Sequence, residues 1–147
     1  MNPKAKSYLS LARKARRLEA GEEPVAIACR AQHARLIVVA QDASEHTLRR
    51  VRSLVAGTKQ PFLQLDCTKD ALGDAIGYSA CAMAAFTDVR LALCFLQAYD
   101  EEGRFLPLQE DLQRRSERVT QRQKEQQAHT KNLRHGKKMH GSDRINS

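Results

Sequence analysis

Several features that exported, membrane-bound or catalytic proteins need are missing from this sequence. No apolar run reaches the roughly 18–20 residues that span a bilayer. Tyr8–Leu18, where the core of a signal peptide would lie, is interrupted by four basic residues. The chain is therefore expected in the cytoplasm, without a membrane partner. Its four cysteines (Cys29, Cys67, Cys81 and Cys94) include no CxxC pair, and each sits in or beside an apolar stretch. That pattern reads as buried, reduced thiols. The histidines stand at no ligand spacing relative to them, so no metal site is expected. Neither GxxxxGKS/T nor GxGxxG occurs, and no cofactor is expected. Cys67 stands at a predicted helix start, where a thiolate is favoured, but no histidine is placed as its base. Asp42, Ser44 and His46 crowd one turn, a placement that rarely gives nucleophile, base and orienter geometry. Binding is expected rather than catalysis, with no small-molecule substrate.

What the sequence does have is positive charge. The 147 residues carry a formal charge of +8, a balance that attracts polyanions. Lys4, Lys6, Arg13, Lys14, Arg16 and Arg17 precede the first acid, Glu19. From Leu112 to Ser147 ten Lys or Arg stand against Glu117, Glu125 and Asp143. Apolar residues are sparse there, so this stretch cannot bury enough surface to offset its chain entropy. The expected organisation is a core domain over residues 4–99 and a basic C-terminal extension over 100–147. Two basic blocks flanking one core point to nucleic acid.

Periodicity supplies the elements. Tyr8, Leu11, Ala12, Ala15 and Leu18 recur at helical spacing, with Leu18-Glu19-Ala20 short and extended before Gly21. Glu22, Glu23 and Pro24 suit a helix start, and that helix runs to about Ala31 with Val25, Ala28 and Cys29 inward. Leu36–Ala40 reads as a strand covered on both faces. Ser44 caps a helix with Leu48, Val51, Leu54 and Val55 inward, ended by Gly57. Phe62–Leu65 is a further strand. Thr68 caps a short helix closed by Gly77, Ala80–Phe86 reads as strand, and Val89–Ala98 as the last core helix. Alternating helices and strands predict an α/β fold, a three-layer α/β/α sandwich. Glu110–Ala128 has helix-forming composition without an apolar stripe, so it is either a solvated helix or a segment that orders on a partner. The expected basic C-terminal tail is thus partly disordered or helical. Its stretch Lys131–Gly141 mixes basic and small residues, as arms that follow phosphates do.

The stretches LARKARRLEAGEE (Leu11–Glu23), ARLIVVAQDAS (Ala34–Ser44), LGDAIG (Leu72–Gly77) and AAFTD (Ala84–Asp88) stand in a familiar order. Together, Leu11–Leu96 resembles the kink-turn RNA-binding ribosomal proteins of the archaeal L-seven-Ae type, and most nearly the small bacterial YlxQ-like members. The resemblance implies a mixed four-stranded sheet and a groove for kinked RNA. That groove would be lined by the start of the second helix (Gly21, Glu22, Glu23) and the loop before the last strand (Gly77, Tyr78, Ser79). A glycine there lets backbone approach backbone, and bulged RNA presents base edges that a regular A-form helix hides. The family's Asn-Glu pair and following Lys align with Glu23, Pro24 and Ile27. Either Arg17 and Arg30 then supply the phosphate contacts, with Arg16 beside them, or kink-turn affinity is reduced or lost. The partners implied are ribosomal or other structured RNA and the ribosome, in a ribonucleoprotein. A protein–protein adaptor on the same fold, with a nonspecific tail, is the competing expectation.

Overall fold

The apolar run at Leu36–Val39 occupies the interior of a sheet covered on both sides. A computed structural model describes the backbone of residues 1–146 and the side chains of residues 1–133. Its elements are α1 (Pro3–Lys14), β1 (Leu18–Ala20), α2 (Glu22–Arg30), β2 (Leu36–Val39) and α3 (Glu45–Val55). They continue with β3 (Phe62–Gln64), α4 (Lys69–Ile76), β4 (Met83–Phe86), α5 (Val89–Tyr99) and α6 (Leu106–Asn146). The strand order is β1-β4-β2-β3. β4 pairs antiparallel with β1 and β2, while β3 runs parallel to β2. The sheet is mixed and four-stranded.

Alternation along the strands sets the layers. Ile37, Val39, Met83 and Ala85 join Val25 and Cys29 of α2 and Leu48 and Val51 of α3 in one core. Leu36, Val38, Ala84 and Phe86 point the other way and are fully buried, on the side taken by α1, α4 and α5. There Phe86 packs on Phe95 (ring centroids 5.2 Å apart), and Phe95 stacks on Tyr99. Helices on both faces of one sheet make the α/β/α sandwich.

Helix α1 departs from the face its spacing suggests. It starts at Pro3, and the Asn2 side chain accepts from the Ala5 N–H (2.8 Å) while donating to the Ala98 carbonyl of α5. The buried row is Ala5, Leu9 and Ala12; Leu11 is 49% exposed. Two small alanines let α1 lie close to its neighbours, which a row built on Tyr8 and Leu11 would prevent. Both α1 and α2 close in a left-handed residue that is not glycine, Arg16 (φ 60°) and Gln32 (φ 56°). The Arg17 N–H reaches the Ala12 carbonyl and the His33 N–H that of Ala28, the closure of a Schellman motif.

The first compact unit runs from Met1 to Gln113 and a second begins at Arg114. The first therefore continues beyond Tyr99. The carboxylate of Asp100 accepts from the Arg104 and Phe105 N–H groups, both at 2.8 Å, and from the Gln109 amide at 2.7 Å. These bonds tie α5 to the start of α6, where Leu112 is fully buried. From Arg114 to Leu133 no residue is buried, so this part of α6 is a solvated helix. The side chains of Lys131–Gly141 beyond Leu133 lie outside the described residues. Among the described residues, no helix is long and apolar enough to cross a membrane.

Candidate nucleic-acid interface

The turn between β1 and α2 and the loop before β4 meet because β1 and β4 are antiparallel neighbours. Gly21, just past β1, donates its N–H to the Met83 carbonyl at the start of β4 (3.0 Å), and that N–H also lies against the Cys81 sulfur. Gly77, Tyr78 and Ser79 lead into the same strand end and are all exposed. Gly21, Glu22, Gly77, Tyr78 and Ser79 are thus drawn to one edge of the sandwich. At Gly21 φ is 97° and ψ 164°, a region that is essentially glycine-only.

The loop is fixed as well as exposed. Gly77 ends α4 in the left-handed conformation (φ 84°), and the Tyr78 N–H donates to the Gly73 carbonyl. The Cys81 N–H donates to the Lys69 carbonyl (2.9 Å). Between these anchors the chain rests on Gly73. A Cβ at Gly73 would lie 2.8 Å from the Ala80 Cα and N and from the Tyr78 carbonyl oxygen. Gly73 was not among the residues expected at the site, although it lies inside the LGDAIG motif.

Charge is arranged differently from the expected pattern. The Arg17 carbonyl accepts from the Thr87 N–H beyond the far end of β4, so the Arg17 backbone is separated from Gly21 by the four residue steps across β1, about 13 Å. The cation at the loop is Arg13, one turn earlier on α1. Its guanidinium donates to the Tyr78 hydroxyl (2.7 Å) and stands 5.0 Å from the ring centroid. Tyr78 remains 40% exposed, so it presents aromatic surface backed by a cation. Glu22 is taken up by α3: its carboxylate lies 3.4 Å from Arg50 Nε and 4.0 Å from His46 Nε2. Helical spacing alone holds no signal that Arg50 faces α2. Glu23 pairs with Arg30 at 3.7 Å between two exposed side chains, an arrangement worth little net energy. Arg30 therefore folds back along α2, and the Glu23 carboxylate stays accessible.

Burial pushes the Cys29, Cys67 and Cys81 thiols up, which disfavours the nucleophilic thiolate. Ile27 is 59% exposed in a shallow depression of about 370 Å³, with Pro24, Ala31 and His33 among its walls.

No protein-family model matches the chain, and no curated protein does either. Solved structures do. The chain is similar to a protein of unknown function from Bacillus halodurans, with 28% identity, a TM-score of 0.57, and coverage of 64% of this chain and 98% of that one. It is also similar to the Giardia lamblia 15.5 kD RNA-binding protein, with 15% identity, a TM-score of 0.54, and coverage of 69% and 96%. At that identity the second likeness shows a shared fold.

Proposed function

We propose that this chain binds structured RNA through the paired loops at Gly21–Glu23 and Gly77–Ser79, and acts as a binding protein rather than an enzyme. The observation that carries the reading is the hydrogen bond from Gly21 to Met83 at the start of β4, the strand end that the exposed Gly77–Ser79 loop leads into. The Arg13–Tyr78 pair supports it, since an exposed ring backed by a guanidinium offers an unpaired base a stacking platform. An RNA-binding protein with the same fold is consistent with it. The finer reading is a kink-turn-like bulged duplex as ligand, in ribosomal RNA and in the cytoplasm. Accessible Glu23 is the group that would accept from a guanine edge, and Arg13 takes the phosphate-side role expected of Arg17 and Arg30.

Tyr78→Ala is expected to weaken binding to a bulged RNA duplex by roughly 5- to 150-fold, the 1–3 kcal/mol of one base–aromatic stack. Binding to the same duplex without the bulge should be unchanged. Isothermal titration of both RNAs against both proteins measures this, and equal affinities for all four pairs would refute the reading. The adaptor alternative is favoured by one observation, the exposed Ile27 where a phosphate-binding lysine is expected. Ile27→Lys separates the two. RNA affinity rises if this edge faces phosphate, whereas an adaptor loses its protein partner with no change toward RNA.

A further inference from the structure

Three exposed arginines fall in line along α6. Residues four apart in a helix stand one turn on and slightly rotated, so Arg114, Arg118 and Arg122 form a row rising about 6 Å per step. All three are exposed. Over residues 114–133 six cationic side chains stand against two carboxylates, Glu117 and Glu125, and Glu125 already accepts from the Gln121 amide (3.1 Å). No residue of this stretch is buried, so packing gives no reason for the row.

We propose that the Arg114–Arg118–Arg122 row is a contact for the sugar–phosphate backbone of an RNA duplex, a second surface independent of the loop pair. The axial step is of the order of the separation between successive phosphates on one strand. The residue type is also apt, because a guanidinium presents a planar fork that bonds two phosphate oxygens at once. Each has five N–H donors, so a partner within the helix leaves donors for phosphate. A lipid surface fits less well. The remaining faces carry Ser116, Gln123, Gln126, Gln127 and Thr130, and interfacial helices need a broad apolar face to sink among headgroups.

The test uses the full chain and an unbulged RNA duplex as probe, with fluorescence anisotropy read between about 50 and 300 mM salt. Arg114→Gln, Arg118→Gln and Arg122→Gln are combined; glutamine keeps the helix propensity while removing charge. The slope of log affinity against log salt is expected to fall in magnitude by about 2–3, as three phosphate contacts require. An unchanged slope overturns the proposal. So does an equal loss of affinity for polyglutamate, which would show attraction without phosphate recognition. Tyr78→Ala leaves this slope intact if the surfaces are independent, so failure of the loop reading and failure of this one give different results.

Discussion

Gly73→Ala is expected to lower both the melting temperature and the affinity for bulged RNA, even though alanine is the better helix former. The added methyl would stand 2.8 Å from backbone atoms of Tyr78 and Ala80, and backbone cannot swing aside as a side-chain tip can. Overpacking of this kind costs about 1–3 kcal/mol, against a helix-propensity gain of up to about 1 kcal/mol. Relief would come by lifting the Tyr78–Ala80 loop off α4, which moves Tyr78 away from Arg13. Thermal unfolding and RNA titration on the same variant should therefore change together. Gly77→Ala is the control. Beyond its own chain neighbours, no atom would lie within 4 Å of a Cβ added there, so only the left-handed strain of about 1–2 kcal/mol applies. A Gly73→Ala protein with unchanged stability and RNA affinity would mean that the Tyr78–Ala80 loop does not rest on Gly73.

Asp100→Ala should detach the start of α6. Three donors lose their acceptor at a residue only 5% exposed. Hydrogen bonds to a buried charged group put the loss at about 2–4 kcal/mol, visible in urea unfolding as a lower midpoint. The same group carries pH dependence. Burial works against the Asp100 carboxylate, but the Phe105 N–H, the Gln109 amide, the Arg104 N–H and the Arg104 charge outweigh it and hold its pKa below the usual value. A depressed folded pKa contributes stability that is complete above the unfolded value, near 3.9, and lost as pH falls through the folded value. Asp100→Asn should therefore flatten the loss of stability between about pH 5 and pH 2. Asp74 is best neutralised in the comparison as well, because its hydrogen bond from Lys6 holds its carboxyl low in the same pH range. A variant that unfolds on acidification just as the parent does would exclude Asp100 as the tie.

Much of the fold was legible because its signals are local. The β-branched run at Leu36–Val39, the caps at Ser44 and Thr68 and the glycine at Gly77 each name one structure with little competition. What was misread depends on long-range packing. For α1 two apolar rows differ by a slight rotation, and only the neighbouring helices choose Ala5, Leu9 and Ala12 over the row through Leu11. Strand β4 is shorter than the run from Ala80 because the Ala80 backbone rests on Gly73 and Cys81 bonds to Lys69 instead of pairing in the sheet. Chain order and the resemblance point to Gly21, Glu22 and the loop at Tyr78, but hold no signal for the cation that stands beside that loop. Arg16 belongs to a helix closure without glycine, and the guanidinium beside Tyr78 comes from Arg13, a turn away. Glu22's pairing with Arg50 arises between two helices and leaves no mark in either segment.

The central claim is that two loops far apart in sequence act as one RNA surface. Backbone amide resonances followed while a bulged RNA duplex is added to the full chain test it directly. Gly21, Glu22, Gly77, Tyr78 and Ser79 should shift together along a single binding curve. Shifts confined to α6 beyond Arg114, or to the α2 face around Ile27, with those five amides unmoved, would contradict it.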